Sequence, residues 1–500
     1  MRAALTLALI LAFTFRAFYA IYSGEPYYVD SWPVIAGART FSSNVEARIF
    51  DDNFYDGYNN KWPLAIITGG VYSIITGLDP IFSGAFMGPL LGSFAILIFY
   101  IIASRLSEGS KASLSTIIAA SAATLFAFEG GFTKEVSARP LFLILIFALI
   151  HPKGAPLIPF TVLALTLAHH ISSVAALAAT IGLLACNAAY NLARGFEPLN
   201  PKRIMLTIIL QTLAISTHYV ALAPSFWKTA IKVEDIVTAS MIMATSISIP
   251  VIAWLSTQKP RWPHRITFST VIGAGVASMT VLAIAAPTTP QTPPLGPYML
   301  LYAAPLALSP AFAATIGASG AQAVVVAGWL SGVGGLMAYS AFSGDPMASS
   351  AIHRLINYEL YAALLGYTTC PQTLLAAQTL VALAPAPIVT LNIAERRDPY
   401  FHFNVYGRDE IVALKLASEK AETVAGDSKV EYLSYMYRVN VKHPPLKLSD
   451  LKEPLVIHRE NWAKGFWVSG FTYGDPEEIK ALKWKWSLVY DGVTTIVLRG

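Results

Sequence analysis

The feature that most constrains this chain is a succession of apolar runs separated by segments that alternate between basic and acidic. Thirteen runs lie at about 3–22, 81–104, 112–128, 140–150, 155–168, 171–193, 204–224, 236–256, 266–286, 298–316, 321–342, 355–369 and 373–394. A helix needs about 20 mostly apolar residues to cross a bilayer, and fewer when it is short or packed inside a bundle. Such a pattern leads to a polytopic α-helical membrane protein of about 13 transmembrane helices. Charge tells the same story. Of the 65 Asp, Glu, Lys and Arg residues, 31 fall in 395–500, which leaves 34 for the first 394. A chain with 13% charged side chains, against about 25% in an average soluble domain, is not a soluble enzyme. Two domains are therefore expected: a transmembrane domain over 1–394, with a large first loop at 23–80, and a small soluble α/β domain over 395–500.

The basic loops set the direction, because Lys and Arg mark the cytoplasmic side. Arg2, Arg105 and Lys111, His151 and Lys153, Arg194, Lys202 and Arg203, and then Lys259, Arg261 and Arg265 all fall on one side by parity. The N-terminus is then cytoplasmic. An odd number of spans delivers 395–500 to the extracytoplasmic face of a protein integral to the cell membrane. Residues 1–20 read as the first span rather than a cleaved leader, since Arg16 interrupts the apolar run. Pro287, Pro290, Pro293, Pro294 and Pro297 cannot continue a helix, so 287–297 reads as an outer loop. In the C-terminal part, 409–424 reads as an amphipathic helix. Residues 430–437 and 455–458 read as strands, and the segments around Asp491-Gly492 as a hairpin.

The first outer segment concentrates chemistry. Glu25, Asp30, Glu46, Asp51, Asp52, Asp56 and Asp79 are seven of the fifteen acids in 1–394, and they lie among aromatic residues that favour the headgroup level. Residues 31–40 and 62–76 therefore read as helices along the interface. Asp51, Asp52 and Asp56 fit a solvated loop. Asp30 differs, because it stands in Tyr27-Tyr28-Val29-Asp30-Ser31-Trp32, where a carboxylate is costlier to desolvate. A second outer segment brings Glu129, Lys134, Glu135 and Arg139 to the same face. His169 and His170 stand at an outer turn, where they can ligate a metal or bind phosphate; as helix neighbours they would point apart. His353 and Arg354 open the twelfth run. Arg16 needs an anionic partner inside the first span, and Asp30 or a lipid phosphate would serve. Acids on outer loops, with cations and histidines at the bilayer surface, suit a substrate with a greasy tail, an anionic phosphate and a polar head. A carboxylate can be the general base on an incoming hydroxyl while cations hold the leaving phosphate.

With these features the chain resembles the GT-C superfamily of integral-membrane glycosyltransferases, which use polyprenyl-phosphate-linked sugars. The resemblance spans the whole length. Locally it rests on Glu25-Pro26-Tyr27-Tyr28-Val29-Asp30, similar to the first-loop acidic motif, and on Asn60-Lys61-Trp62-Pro63-Leu64, similar to the basic-x-Pro-Leu signature. It implies Asp30 and Glu25 as catalytic carboxylates, with Asp30 the base. It implies Lys61, Arg354, Arg16 and His353 as contacts of the donor phosphate. Glu129, Glu135, His169 and His170 would be ligands of a divalent cation, Mg or Mn. The implied partners are a polyprenyl-phosphate sugar donor, a glycan, lipid or protein acceptor, and membrane lipids. The Trp-Trp-Asp motif of oligosaccharyltransferases is not matched by Asn461-Trp462 or Trp484-Lys485-Trp486, which favours transfer of a single sugar. Those tryptophans, with Trp467, are expected to pack the small domain against the bundle. En bloc glycan transfer, a lipid-glycan transporter or flippase, and a non-catalytic outer scaffold remain as alternatives. A transporter would line its path with polar residues, and the spans hold few beyond Gln211, Gln322 and Glu359. Net charge of +5 arises from the inner loops and is no sign of nucleic acid.

Overall fold

The computed structural model describes residues 2–226, 233–256, 300–303, 320–342, 351–398, 401, 404–443, 453–458, 466–468, 471–473, 487–491 and 495–499. The expected spans 266–286 and most of 298–316, the loop 287–297, and Trp462, Trp484 and Trp486 lie outside these residues.

Apolar sequence becomes helix where the expected runs fall. In order these are α1 (Arg2–Ser23), α2 (Ser31–Ser43), α3 (Leu64–Thr76), α4 (Pro80–Leu106), α5 (Gly109–Ser121), α6 (Ala123–Glu129), α7 (Lys134–Ile150), α8 (Leu157–Ala168), α9 (His170–Arg194), α10 (Pro201–Ala221) and α11 (Val233–Ser256). They continue as α12 (Ala321–Phe342), α13 (Ile352–Tyr367), α14 (Gln372–Leu383) and α15 (Pro385–Ala394). Among the described residues seven helices are long and apolar enough to cross a membrane, or eight if the pair α5–α6, bent by 57°, is one span. The chain is thus a mostly helical, polytopic membrane protein. Small residues let its helices approach closely: a Cβ on Gly182 of α9 or on Gly332 of α12 would strike the other helix's backbone. The spacing Gly328-x-x-x-Gly332 is what such contacts require where lipid supplies no hydrophobic drive.

The juxtamembrane helices form as expected. α2 packs on α3, and both bear on the C-terminal elements through one apolar cluster that includes Trp32, Ile35, Ile66, Leu414, Leu433 and Val456. Those elements are α16 (Arg408–Ser418), α17 (Ser428–Tyr437) and a five-stranded sheet of order β2-β1-β3-β7-β6. The strands are β1 (Thr423–Ala425), β2 (Asn440–Lys442), β3 (Leu455–His458), β6 (Ser487–Asp491) and β7 (Thr495–Arg499), while β4 (Phe466–Val468) and β5 (Phe471–Tyr473) make a separate ribbon. β2 and β3 run parallel to β1. β7 is antiparallel to β3 and β6, in the register Leu455 to Leu498, with a bulge at Leu488 and Tyr490.

Two local expectations are corrected. The strand expected at 430–437 is the helix α17. Its aromatic and β-branched content imitates a strand, but the Asp427 side chain accepts from the Val430 amide at 3.1 Å and caps it. Val430, Leu433 and Met436 then form one buried face at helical spacing. The helix expected over 409–424 ends at Ser418, and the tail becomes the strand β1.

Candidate active site

The segment before α2 is held from three sides. The Tyr27 hydroxyl donates to the Ala127 carbonyl at 2.7 Å, and Ser31 Oγ donates to the Tyr27 carbonyl at 2.7 Å. Tyr28 sits at φ +76°, a region that a bulky side chain rarely adopts and that persists only where surroundings impose it. The imposing surface is the Gly130-Gly131 turn. A Cβ on Gly131 would lie 2.5 Å from Tyr28 Cβ, so only glycine allows this approach. Asp30 follows at the N-cap position of α2, yet its side chain makes no capping bond.

Asp30 instead closes a chain of alternating charges. Arg354 Nη2 of α13 lies 3.6 Å from Asp30 Oδ2, and Arg354 Nε lies 3.8 Å from Glu135 Oε2. Glu135 pairs with Arg139 one turn along α7. Arg139 Nη1 reaches Glu129 Oε1 at 2.6 Å, and Glu129 Oε2 accepts from Arg16 Nε at 2.8 Å. Three arginines thus alternate with three carboxylates. Side-chain exposure runs from 0% at Arg16 and Glu129, through 12% at Glu135 and 24% at Arg354, to 30% at Asp30. The links are shortest where buried and longest at the open end, so Arg354 and Asp30 are the members free to respond to a ligand.

Beside this end stands a group of donors around two aromatic rings. Lys134 Nζ sits 3.4 Å above the Tyr58 ring and 5.1 Å from Trp62. The His170 ring is 4.7 Å from Trp62, and that of His218 is 5.7 Å away. Lys134 Nζ, His170 Nδ1 and His218 Nε2 are buried with no hydrogen-bond partner among the described residues. Buried polar atoms are nearly always paired, so three unpaired nitrogens around one aromatic wall are the mark of a missing polar partner. From the other side, Tyr432 of α17 adjoins Asp30. The negative charge of Asp30, more than burial, pushes its phenol well above the ordinary tyrosine range, and Arg354 partly opposes this.

The remaining sequence candidates lie as follows. Lys61 Nζ is bound by Asp52 Oδ1 at 2.6 Å; with the Asn60 amide, it holds the Asp52 carboxyl below its usual range. Among the described residues no hydrogen bond links Glu25 to Asp30, whose ion pair is with Arg354. The Glu25 carboxyl is raised by partial burial, partly opposed by Arg408 of α16. Arg16 finds its anionic partner in Glu129, rather than in Asp30 or a lipid. The His353 side chain lies outside the described residues. The paired histidines do not diverge, because His169 precedes α9 in extended conformation and its ring comes within 4.6 Å of that of His170. His169 Nδ1 is bonded to Ser172 Oγ at 2.8 Å, and Ser172 meets the Tyr358 hydroxyl.

As a metal site these residues fit poorly. Both oxygens of Glu129 already accept from guanidinium groups, and Tyr361 adds a hydroxyl at 2.8 Å. Cations crowd the carboxylates, and no group of three His, Cys, Asp or Glu among the described residues is placed to hold a metal. Sequence alone placed Lys134 and Arg139 in the second outer segment without giving either a role, and it assigned none to His218, Tyr58 or Tyr432. Arg139 was within reach, since Glu135 and Arg139 stand one helical turn apart and opposite charges at that spacing pair.

A helical bundle with two short helices after its first apolar helix, and a charge cluster where they meet, has counterparts among solved membrane enzymes. Among solved structures the chain is similar to the archaeal oligosaccharyltransferase AglB from Archaeoglobus fulgidus in complex with an inhibitory peptide and a dolichol-phosphate. That match has a TM-score of 0.55 at 12% identity, over 99% of this chain and 74% of that one. The Archaeoglobus fulgidus enzyme in complex with Zn and sulfate matches with a TM-score of 0.53 at 13% identity, over 99% and 73%. ArnT from Cupriavidus metallidurans bound to undecaprenyl phosphate aligns more loosely, with a TM-score of 0.42 at 12% identity over 99% and 97%, and the fold assignment rests on the first two. No protein-family model and no curated sequence matches the chain.

Proposed function

We propose that this chain is a membrane glycosyltransferase that moves a sugar from a polyprenyl-phosphate-linked donor to an acceptor hydroxyl, with Asp30 as general base. The observation that carries this reading is the meeting of Asp30 and Arg354 beside three buried, unpartnered nitrogens, those of Lys134, His170 and His218. A phosphate entering there supplies the acceptors these nitrogens lack. It also competes for Arg354, whose 3.6 Å contact with Asp30 is loose. Asp30 is then released to accept the proton of an acceptor hydroxyl. In the transfer the acceptor oxygen bonds to the sugar C1 and its proton passes to Asp30. The C1–O bond to phosphate breaks, and its electron pair leaves with the polyprenyl phosphate, held by the cations. Attack opposite the leaving group inverts the anomeric centre. No step is routed through a divalent cation, because the carboxylates that would ligate it are held by arginines.

The fold supports the donor class, since AglB was solved with a dolichol-phosphate. On this reading the site lies on the extracytoplasmic face, with the N-terminus inside, and 395–500 forms the outer domain over the juxtamembrane helices. The test is transfer of labelled sugar from a polyprenyl-phosphate donor by purified protein. Asp30→Asn should lower turnover by about 10²–10⁴, the usual contribution of a positioned base, and full activity in that variant removes the assigned base. One observation supports a second reading: the Archaeoglobus fulgidus structures with TM-scores of 0.53 and 0.55 are of an oligosaccharyltransferase. An Asn-Val-Thr peptide offered in the same assay with a lipid-linked oligosaccharide decides between single-sugar and en bloc transfer.

A further inference from the structure

A groove of about 710 Å³ opens between α2, the first loop and α17. It is separate from the cluster around Arg354. Its α2 wall is Pro33, Gly37, Thr40 and Asn44, spaced by four and three residues. Counting back three residues from Pro33 reaches Asp30, so the groove follows the helix face on which Asp30 stands. One turn separates Asp30 from Pro33, about 4.5 Å of axial rise. Its α17 wall is Glu431, Ser434, Tyr435 and Arg438, again one helical face, and Tyr432 on the same helix adjoins Asp30. Asn53 and Asp56 close the loop side.

We propose that this groove is an acceptor subsite that takes a short oligosaccharide; the assignment of it to an acceptor rests on the transferase reading above. The chemistry of the walls is what recognises sugar. Hydroxyl groups both donate and accept, and they are matched by planar side chains with at least two polar atoms each: Asn44, Asn53, Asp56, Glu431 and Arg438. Sugar rings present C–H faces, and Tyr435, 37% exposed, offers an aromatic face for them. Arg438 adds a second indication. It occupies the left-handed region at φ +54° where α17 ends, a position that glycine or asparagine fills at no strain. Arg438 makes no hydrogen bond or ion pair to another described side chain, so its guanidinium is open to a ligand in the groove. The volume lies within the ~300–1,000 Å³ of small-molecule sites, room for about two or three sugar rings. A peptide fits less well. Among the described residues the strand edge in the groove is that of β2, whose three residues are too few for a main-chain ladder.

The test uses the full chain in lipid nanodiscs and saturation-transfer NMR with maltotriose, mannotriose and N,N′-diacetylchitobiose as separate probes, and an Asn-Val-Thr peptide as the competing class. At least one saccharide should bind saturably. Tyr435→Ala, which removes the stacking face, and Thr40→Trp, which fills the groove, should each weaken it by about tenfold. Both should unfold at the wild-type temperature. The proposal is overturned if none of the three saccharides binds saturably, if both folded variants bind as wild type does, or if the variants lose peptide binding instead. Saturable saccharide binding by a wild-type protein that transfers no sugar from a polyprenyl-phosphate donor sinks the transferase reading and leaves the groove standing. Sugar transfer with an unchanged acceptor KM in both variants does the reverse.

Discussion

Replacing Glu129 by glutamine tests whether the deep end of the charge chain is architecture or chemistry. The carboxylate accepts from Arg16 through two nitrogens, from Arg139 at 2.6 Å and from the Tyr361 hydroxyl at 2.8 Å, and it has no exposed surface. Glu129→Gln keeps an acceptor for Arg139 and Tyr361, and Arg139 retains Glu135. Arg16 is the group left stranded, with only the carbonyls of Ala12 and Ala120, each at 3.1 Å. Removing one partner of a buried ion pair costs about 3–5 kcal/mol, mostly the penalty of the orphaned charge. The double variant Arg16→Met with Glu129→Gln removes the orphan, so most of that loss should return, a coupling of about 2–4 kcal/mol. Cys186 and Cys370 are buried free thiols, which makes thiol-reactive dye melting in detergent a direct assay. If the single and double variants melt together, the pairing argument is wrong. If Glu129→Gln melts like the wild type yet loses transfer, Glu129 acts in the chemistry and the ligand role implied by the sequence returns.

Other consequences follow from single contacts. Gly131→Ala places a methyl group 2.5 Å from Tyr28 Cβ and 2.9 Å from the Tyr27 carbonyl, so it should cost about 1–3 kcal/mol of overpacking and displace Asp30. Wild-type melting and transfer in that variant would show that the turn does not impose the Tyr28 conformation. Glu25 has a folded-state pKa raised by burial, so its ionisation opposes folding: stability falls as pH rises from the ordinary glutamate range through the raised value. Glu25→Gln should therefore melt higher than the wild type at neutral pH and equally at pH 4. Loss of transfer in that variant, without the stability gain, restores Glu25 as a catalytic group. Asp427→Ala removes the cap of α17 and should cost about 1 kcal/mol, read as a lower melting temperature; no change would mean that packing alone holds that helix.

How much of this could be read in advance divides along physical lines. The helices were legible because burial in lipid demands long apolar runs, a signal carried by each segment alone. α2 and α3 were legible as well, since Trp32 and Trp62 mark where the chain re-enters apolar surroundings. The helix α17 was not, because its aromatic and β-branched residues raise strand propensity while its helical state is fixed by Asp427 and by the core beneath Leu433. Propensity is a weak prior, and tertiary contact overrides it.

The site divides differently. Charges were scarce enough in the first 394 residues that nearly every candidate had to matter, and Asp30, Glu129, Glu135, Arg16 and Arg354 do lie in one connected chain. What composition could not supply is order along that chain. Acids and cations gathered on one face can surround a metal, hold a phosphate or neutralise one another, and the choice depends on distances of a few ångströms between segments remote in sequence. Glu129 and Arg16 neutralise one another because both are wholly removed from solvent, where an unpaired charge is least tolerable. Asp30 and Arg354 keep a loose contact because solvent still reaches them. The gradient of exposure, rather than the identity of any residue, separates the part of the network that holds the bundle together from the part available to a substrate. Lys61 illustrates the converse. Its motif marks it for phosphate, yet Asp52, nine residues before it, already occupies it. A donor could recruit Lys61 only by displacing that carboxylate, whereas Lys134 has no hydrogen-bond acceptor among the described residues and rests on the Tyr58 ring, so no carboxylate has to leave before it binds one.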